Sequence, residues 1–273
     1  MFSGGLDKVR DGGWKMKDQI WKTSITKVEP NKLLLRGYRL DELMGEITFA
    51  QAVFLTLKGE LPTEKEARMI DAMLVSSIDH GVTPPSCLSA RTIASTGASL
   101  NAAVAGGILA ISRHHGGAIE DSMKVFQEAV RRKREMSKTA EETAAILIKE
   151  YKEKGKRLPG FGHRIHTMDP RTIKLFRIAS DLGIAGEYVG MAKAMEEEIE
   201  RSGGKRLPVN VDGAIAALLC EMHFPSELAN AFFILARIPG LVAHVYEEQT
   251  KMKPMRQINA KDHEYDGLPE RRL

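Results

Sequence analysis

The sequence predicts an all-α protein, and three observations carry that reading. Aromatic residues make up only 6% of a chain that is 43% hydrophobic, and its apolar content leans to Ala, Leu, Ile and Met, which favour helices over strands. Two Thr-x-x-Glu capping boxes, Thr63 to Glu66 and Thr139 to Glu142, open segments of helical periodicity. Strand signals are confined to the N-terminal segment.

The elements follow in order. The N-terminal segment is irregular, with a short strand pair expected around Thr23–Val28 and Lys32–Leu35. Leu61-Pro62-Thr63 opens a helix in which Ile70, Met73, Leu74 and Ser77 recur at helical spacing. It is expected to end near Asp79-His80-Gly81, before Pro84-Pro85. Arg91 to Arg113 reads as one helix dominated by small residues, among them Ala94, Gly97, Ala98, Ala102, Ala103 and Gly107. Small side chains let a neighbouring helix approach closely, the mark of a central core helix or a subunit interface. This segment delivers the chain to His114-His115-Gly116-Gly117.

Further on, the run Arg131-Arg132-Lys133-Arg134 beside Glu135 reads as a solvated helix end, with a phosphate-binding patch as the alternative. The helix opened by Thr139 carries Ala144, Leu147, Ile148 and Tyr151 on one face and ends at Gly155. A loop over 156–163 follows, and Asp169-Pro170-Arg171 starts a helix through Leu182. Met191–Arg201 is amphipathic and stops at Gly203-Gly204. Asn210-Val211-Asp212 leads into an apolar helix through Met222, which Pro225 breaks. Ser226 to Arg237 is helical, and Pro239-Gly240 marks a kink before Val242–Gln249. There is no internal repeat, low-complexity segment or long linker.

Composition narrows the function classes. A chain of 273 residues makes one large domain or two unequal ones around a sizeable core. The net charge of +4 is mild, and Lys and Arg alternate with Glu and Asp rather than forming the single basic face of a nucleic-acid binder. Two cysteines make no disulfide framework, and Met1 to Lys32 carries no apolar signal region, so a cytoplasmic location is expected. No run reaches the ~18 apolar residues of a membrane span. No metal is expected: adjacent His114 and His115 do not share a helix face, and no His or Cys pair has ligand spacing. The chain has no Gly-x-Ser-x-Gly elbow, Walker loop or dinucleotide fingerprint.

Three histidines sit where glycine frees the backbone and lets a ligand approach: His80 before Gly81, His115 before Gly116-Gly117, and His163 after Gly160-Phe161-Gly162. Asp212 stands at the entry to an apolar helix. It is either an N-cap or a general base tuned by an apolar pocket.

Five linked motifs decide between these readings. His-Gly-Gly-Ala at 115–118, Pro-Gly-Phe-Gly-His-Arg at 159–164, Asp-Pro-Arg at 169–171, Asn-Val-Asp at 210–212 and Ala-Arg-Ile-Pro-Gly-Leu-Val-Ala-His at 236–244 together resemble the citrate synthase superfamily. Leu34-Leu35-Arg36-Gly37-Tyr38 and Gly59-Glu60-Leu61-Pro62-Thr63 fit its N-terminal region, so the resemblance is collinear from about residue 30 onward.

The resemblance implies a large helical domain over 1–115 and 214–273, a smaller inserted domain over 116–213, an active site in the cleft between them, and a homodimer sharing its sites. It implies His115 as the donor to the thioester carbonyl, Asp212 as the carboxylate that exchanges the methyl proton, and His163 as the partner of the ketone or hydroxyl oxygen. His80, Arg171 and Arg237 would bind the carboxylates of an oxaloacetate- or citrate-type acid. Lys156, Arg157, Leu158, Gly160, Gly162 and Arg164 would hold coenzyme A, which enters as a thioester substrate, with no tightly bound cofactor.

The family's C-terminal Arg before a Pro is replaced by Lys253-Pro254-Met255-Arg256, which leaves Lys253 or Arg256 for the cation donated to the partner's site. The spacing from His163 to Arg171 is one residue shorter than in common citrate synthases. Asp79-His80-Gly81 with Pro84 looks like the citryl-CoA lyase module of ATP-citrate lyase, although that module generally lacks the His that this chain keeps as His115. Stand-alone citryl-CoA lyases are of similar length. The expected reaction is therefore cleavage of citryl-CoA to acetyl-CoA and oxaloacetate. The alternatives are a citrate or 2-methylcitrate synthase and a catalytically inactive CoA-binding module.

Overall fold

Both capping boxes form. Glu66 N–H donates to Thr63 Oγ1 at 3.3 Å while the Glu66 carboxylate accepts from Thr63 N–H at 2.8 Å. Thr139 and Glu142 do the same at 3.2 and 2.9 Å. Each box satisfies two backbone donors that a helix start leaves unpaired. The computed structural model describes residues 6–8, 14–16, 22–162, 169–203 and 207–273. The chain divides into two units, Met1–Pro62 and Thr63–Leu273.

In the first unit, β1 (Leu6–Lys8) pairs antiparallel with β2 (Trp14–Met16). A second sheet runs β3 (Thr26–Glu29), β4 (Lys32–Leu35) and β5 (Tyr38–Arg39), all antiparallel, with Thr26 opposite Leu35. This is the expected strand pair plus one short strand. A four-residue helix α1 (Leu40–Leu43) and α2 (Phe49–Lys58) complete the unit. Thr48 and Gln51 make a capping box for α2 with Gln in the Glu position, which the sequence reading passed over.

The second unit is helical among its described residues: α3 (Glu64–Ser76), α4 (Pro85–Ser95), α5 (Leu100–Leu109), α6 (Ala118–Glu135), α7 (Ala140–Glu153), α8 (Pro170–Leu182), α9 (Glu187–Gly203), α10 (Val211–Glu221) and α11 (Ala229–Lys251). Short 3₁₀ turns lie at Ser226–Leu228 and Ala260–Asp262. Two helices form the heart of it. In α10, Val211 and every residue from Gly213 to Cys220 are buried, against α6, α8 and α9. The longer α11 packs against α3, α4, α5 and α6. It is long and apolar enough by composition to cross a membrane. Here, however, it buries Arg237 and Glu248 among its neighbours, the pattern of a core helix.

Two elements differ from the sequence reading. The expected helix over Arg91–Arg113 is two helices, α4 and α5, because Gly97 turns the chain at φ +85°, a left-handed conformation that glycine adopts without cost. The helix α4 starts early, with Pro85 at its first position, where a missing N–H is no loss. Pro239 does not interrupt α11, which is continuous across it. Packing of the fully buried Leu241 and Val245 on one side and of Ala236 and Arg237 on the other holds the two halves together. Small residues in α5 do admit another helix closely: a Cβ on Gly107 would stand 2.9 Å from the Ser86 carbonyl oxygen of α4. The basic run at the end of α6 is committed to glutamates: Arg131 to Glu128 and Glu135, Arg132 to Glu128 and Glu150, Lys133 and Arg134 to Glu187. That is a helix end with its charges matched.

Candidate active site

Between α5 and α6 the chain makes a two-residue turn. Ser112 and His115 exchange backbone hydrogen bonds of 2.8 and 2.9 Å, and Gly117 N–H donates to Ser112 O at 3.1 Å. The glycines are required here. A Cβ on Gly116, which lies at φ +81°, would meet Phe233 at 2.7 Å, and one on Gly117 would meet the Arg113 Cα at 2.7 Å. The turn holds His115 with its ring edge-on to Phe233, centroids 5.5 Å apart. His115 Nε2 lies 2.8 Å from the hydroxyl of the fully buried Ser86. With Ser86 donating, the ring hydrogen sits on Nδ1, which is then the donor available to a ligand oxygen. Burial first, then Arg237 and His80, depress the pKa of His115. The imidazole is therefore kept neutral, as an oxyanion donor requires.

Asp212 is carried by the first turn of α10, and it is not the cap. Asn210 caps the helix, accepting from Gly213 N–H at 3.1 Å, so the Asp212 carboxylate is spared that role. The segment leading in is tied to the loop before His163. Phe161 bridges Val209, Gly162 N–H donates to Pro208 O at 2.7 Å, Asn210 N–H donates to Gly160 O at 3.0 Å, and Asn210 Nδ2 donates to Gly162 O at 2.9 Å. Gly160 packs directly on Gly213, where a Cβ would lie 2.8 Å from the Gly213 Cα. Burial pushes the Asp212 carboxyl up to about 6; Arg171 and Arg237 pull the other way, and Asp169 adds to the rise. A carboxylate so raised is a stronger base than an ordinary one and still largely ionised at neutral pH.

Asp212, His115, His80, Arg171 and Arg237 line one cavity of about 420 Å³, with His114, Asn210 and Phe233 among its other walls. Arg237 is 2% exposed, donates through Nε to Ser77 O at 3.0 Å and stacks on Phe233 at 4.8 Å. Among the described residues its terminal nitrogens make no hydrogen bond, which leaves the paired N–H groups that match a carboxylate. Burial is the main cause depressing the pKa of Arg237, with Arg171 adding to it. Arg171 is half committed: Nε and Nη2 hold the two oxygens of the buried Asp169 at 3.0 and 2.8 Å. Asp169 also caps α8 through Arg171 N–H.

Behind His80 a chain of hydrogen bonds fixes the preceding residue. Asp79 Oδ1 lies 3.0 Å from His244 Nε2, and His244 Nδ1 lies 3.2 Å from Arg91 Nη1. A guanidinium can only donate, so Nδ1 accepts and Nε2 carries the hydrogen toward Asp79. Arg91 continues to the buried Glu248 at 2.7 Å, and Glu248 also takes Arg256. Arg256, one of the two cations named for the partner's site, is thus held within its own chain; Lys253 is exposed and outside the cavity.

A second cavity, of about 580 Å³, is lined by Lys156, Arg157, Leu158 and Gly162, all expected to hold CoA, and by Ile148, Tyr151, Phe161, Ile199 and Leu207. Gly162 also lines the first cavity. Gly160 is buried beneath, a backbone spacer rather than a wall. His163 and Arg164 lie outside the described residues. Ser86, Asp169, Asn210 and Phe233 were not singled out from the sequence. Asn210, written beside Asp212, and Asp169, two residues from Arg171, left a signal there; Ser86 and Phe233 reach the site through long-range packing.

A family model described as citrate synthase, C-terminal domain, matches residues 62–258. A solved structure of citryl-CoA lyase from Hydrogenobacter thermophilus is 50% identical, with a TM-score of 0.86 over 93% of this chain and 98% of its own. The ATP citrate lyase of Methanosaeta concilii, solved as a D541A mutant in complex with (3S)-citryl-CoA, shares the fold at 23% identity. Its TM-score is 0.80 over 94% of this chain and 43% of its own. Putative citrate synthase 2 of Mycobacterium tuberculosis is 32% identical over 78% of this chain and 56% of its own. The chain spans about half the length of the curated citrate synthases it matches.

Proposed function

The chain belongs to the citrate synthase family, and from that premise we propose that it is a citryl-CoA lyase, cleaving citryl-CoA to acetyl-CoA and oxaloacetate. One observation carries the proposal: a carboxyl raised to about 6, a neutral histidine and two arginines line a single cavity. The likeness to the Hydrogenobacter citryl-CoA lyase, which extends over nearly all of both chains, favours the cleaving direction.

The residue types suit the reaction. Arg237 and Arg171 take the free carboxylates of the citryl group. His163, given this role by resemblance, accepts the proton of the citryl hydroxyl. The carbon–carbon bond then breaks, its electron pair passing to the methylene carbon and the thioester oxygen. His115 Nδ1–H meets that oxygen. Asp212 in its protonated form delivers a proton to the methylene, and acetyl-CoA and oxaloacetate leave. Donors set in place before charge develops are worth about 3 kcal/mol each in comparable oxyanion sites. Lys156, Arg157 and Arg164 serve the CoA phosphates, and the apolar cavity beside them suits the adenine.

The proposal includes a homodimer and a domain division. Leu100 and Leu109 on α5 are 46% and 82% exposed and flank the exposed Ala102 and Ala105, a face small enough for a second copy's helix to approach closely. Lys253, exposed and without an ionic partner among the described residues, is the cation for the partner's site. The large domain is 1–115 with 214–273 and the small domain 116–213. Two free, buried cysteines fit a reducing, cytoplasmic setting.

The test is to supply citryl-CoA and follow oxaloacetate through its reduction by NADH. In parallel, free thiol is followed from acetyl-CoA plus oxaloacetate. Fast cleavage with slow synthesis is expected. Fast synthesis with little cleavage selects the citrate synthase reading. CoA binding without turnover in either assay selects an inactive module. Sedimentation of the wild type against Leu109→Glu tests the dimer, which is expected to dissociate.

A further inference from the structure

The turn that presents His115 has a second side. Its two central residues are Arg113 and His114, and they go to different places. His114 lines the reaction cavity, while Arg113 lines a groove of about 450 Å³ on the other face, together with Lys156 and Arg157 of the loop before His163. That groove adjoins the apolar cavity, with which it shares Tyr151, Lys156 and Arg157.

The charges in the groove do not cancel. Lys124 is paired with Glu120, and Glu128 is taken by Arg131 and Arg132. Arg113, Lys156 and Arg157 have no ionic partner among the described residues, and only Asp121 opposes them. Three cations against one carboxylate on one concave surface leave an excess of positive charge that a polyanion would offset.

We infer that Arg113 binds a phosphate group of the CoA substrate and thereby couples CoA recognition to the placement of His115. The reading rests on the proposal that the substrate is a CoA thioester. The coupling is short and rigid. Arg113 is two residues from His115, the turn between them is closed by two backbone hydrogen bonds, and Gly117 N–H fastens it from behind. A phosphate gripping Arg113 therefore acts on the same closed loop that aims the imidazole. The path is continuous in the other direction as well, since Gly162 lines both the apolar cavity and the reaction cavity. One extended thioester can reach from the groove to Asp212.

The experiment compares citryl-CoA with citryl-pantetheine, which keeps the reacting end and lacks the nucleotide and its phosphates. The readout is the ratio of kcat/KM for the two substrates, in the wild type, Arg113→Gln and Arg113→Lys. Loss of a charge-assisted contact lowers that preference for the CoA ester by about tenfold in R113Q. R113K keeps most of it. A ratio unchanged in R113Q overturns the inference, whether or not overall activity falls, because a merely structural role lowers both substrates together. Calorimetric binding of CoA itself is the second arm. It judges Arg113 even if the protein cleaves no citryl-CoA: R113Q is expected to weaken CoA at least about tenfold, and unchanged affinity overturns the inference while leaving the proposed reaction to its own assay.

Discussion

The hydroxyl of Ser86 lies 2.8 Å from Nε2 of His115, and it is the only hydrogen bond recorded for that ring among the described residues. Ser86 reaches the ring from the first turn of α4, and α5 lies tight against the same turn through Gly107. With Ser86 donating, the ring hydrogen is placed on Nδ1. Ser86→Ala removes that donor. We expect kcat to fall about tenfold, the worth of one ordinary hydrogen bond, with KM for citryl-CoA little changed. A wild-type kcat in S86A would detach the tautomer from the mechanism.

Asp212 makes a stability prediction of unusual sign. Its carboxyl is raised from about 4 to about 6 by burial. The folded protein thus holds a proton there that the unfolded chain has already released, and stability declines as pH rises from about 4 to about 6. Above that range the ionised group costs the fold about 3 kcal/mol. Asp212→Asn abolishes turnover, yet at pH 8 it stabilises the protein by up to that amount and at pH 4 it does not. Denaturant unfolding of both proteins at the two pH values measures it.

The same group sets a pH profile. Exchange of the acetyl-CoA methyl protons with solvent requires Asp212 ionised, so the exchange rate is expected to rise about tenfold per pH unit below about 6 and level above it. Protonation of the enolate during cleavage needs the acid form, so the cleavage step falls through the same pH. NMR of acetyl-CoA in deuterated buffer gives the first limb and single-turnover cleavage the second. Parallel rather than opposed limbs would remove Asp212 from both steps.

Glu248 has a side chain 1% exposed and neutralises Arg91, which is 6% exposed. Glu248→Ala leaves the buried Arg91 with Glu247 alone, at 3.1 Å, and takes away the partner of Arg256; destabilisation of about 1–3 kcal/mol is expected. His244→Phe keeps the ring volume and severs Asp79 from Arg91. Its effect should appear in KM for the citryl substrate through His80, with His244→Gln, which can both accept and donate, retaining most of the wild-type value.

The helices were legible in the sequence wherever local signals governed them. The capping boxes at Thr63 and Thr139 and the Asp169-Pro170 start formed as written, because caps are satisfied by residues three positions apart. The break at Gly97 is not legible in the sequence, since small-residue composition hides a turn. Of the site, the residues with motif context, His80, His115, Arg171, Asp212 and Arg237, come together in one cavity. Ser86 and the pairing of His244 with Asp79 and Arg91 did not announce themselves. Asp79 and His244 are 165 positions apart, and nothing local marks residues whose role is to hold others.

The joint between Gly160 and Gly213 has a consequence for how this protein can be altered. Backbone meets backbone there, with Asn210 N–H donating to Gly160 O and no side chain on either glycine. The nucleotide-side loop and the helix bearing Asp212 are in effect welded, and neither can drift without taking the other along. Directed evolution of acyl or nucleotide preference has no purchase at this weld. It must work on the walls, at Ile148, Ile199 or Leu207, where side chains can be exchanged while the geometry between the loop at Gly160 and Asp212 is inherited intact.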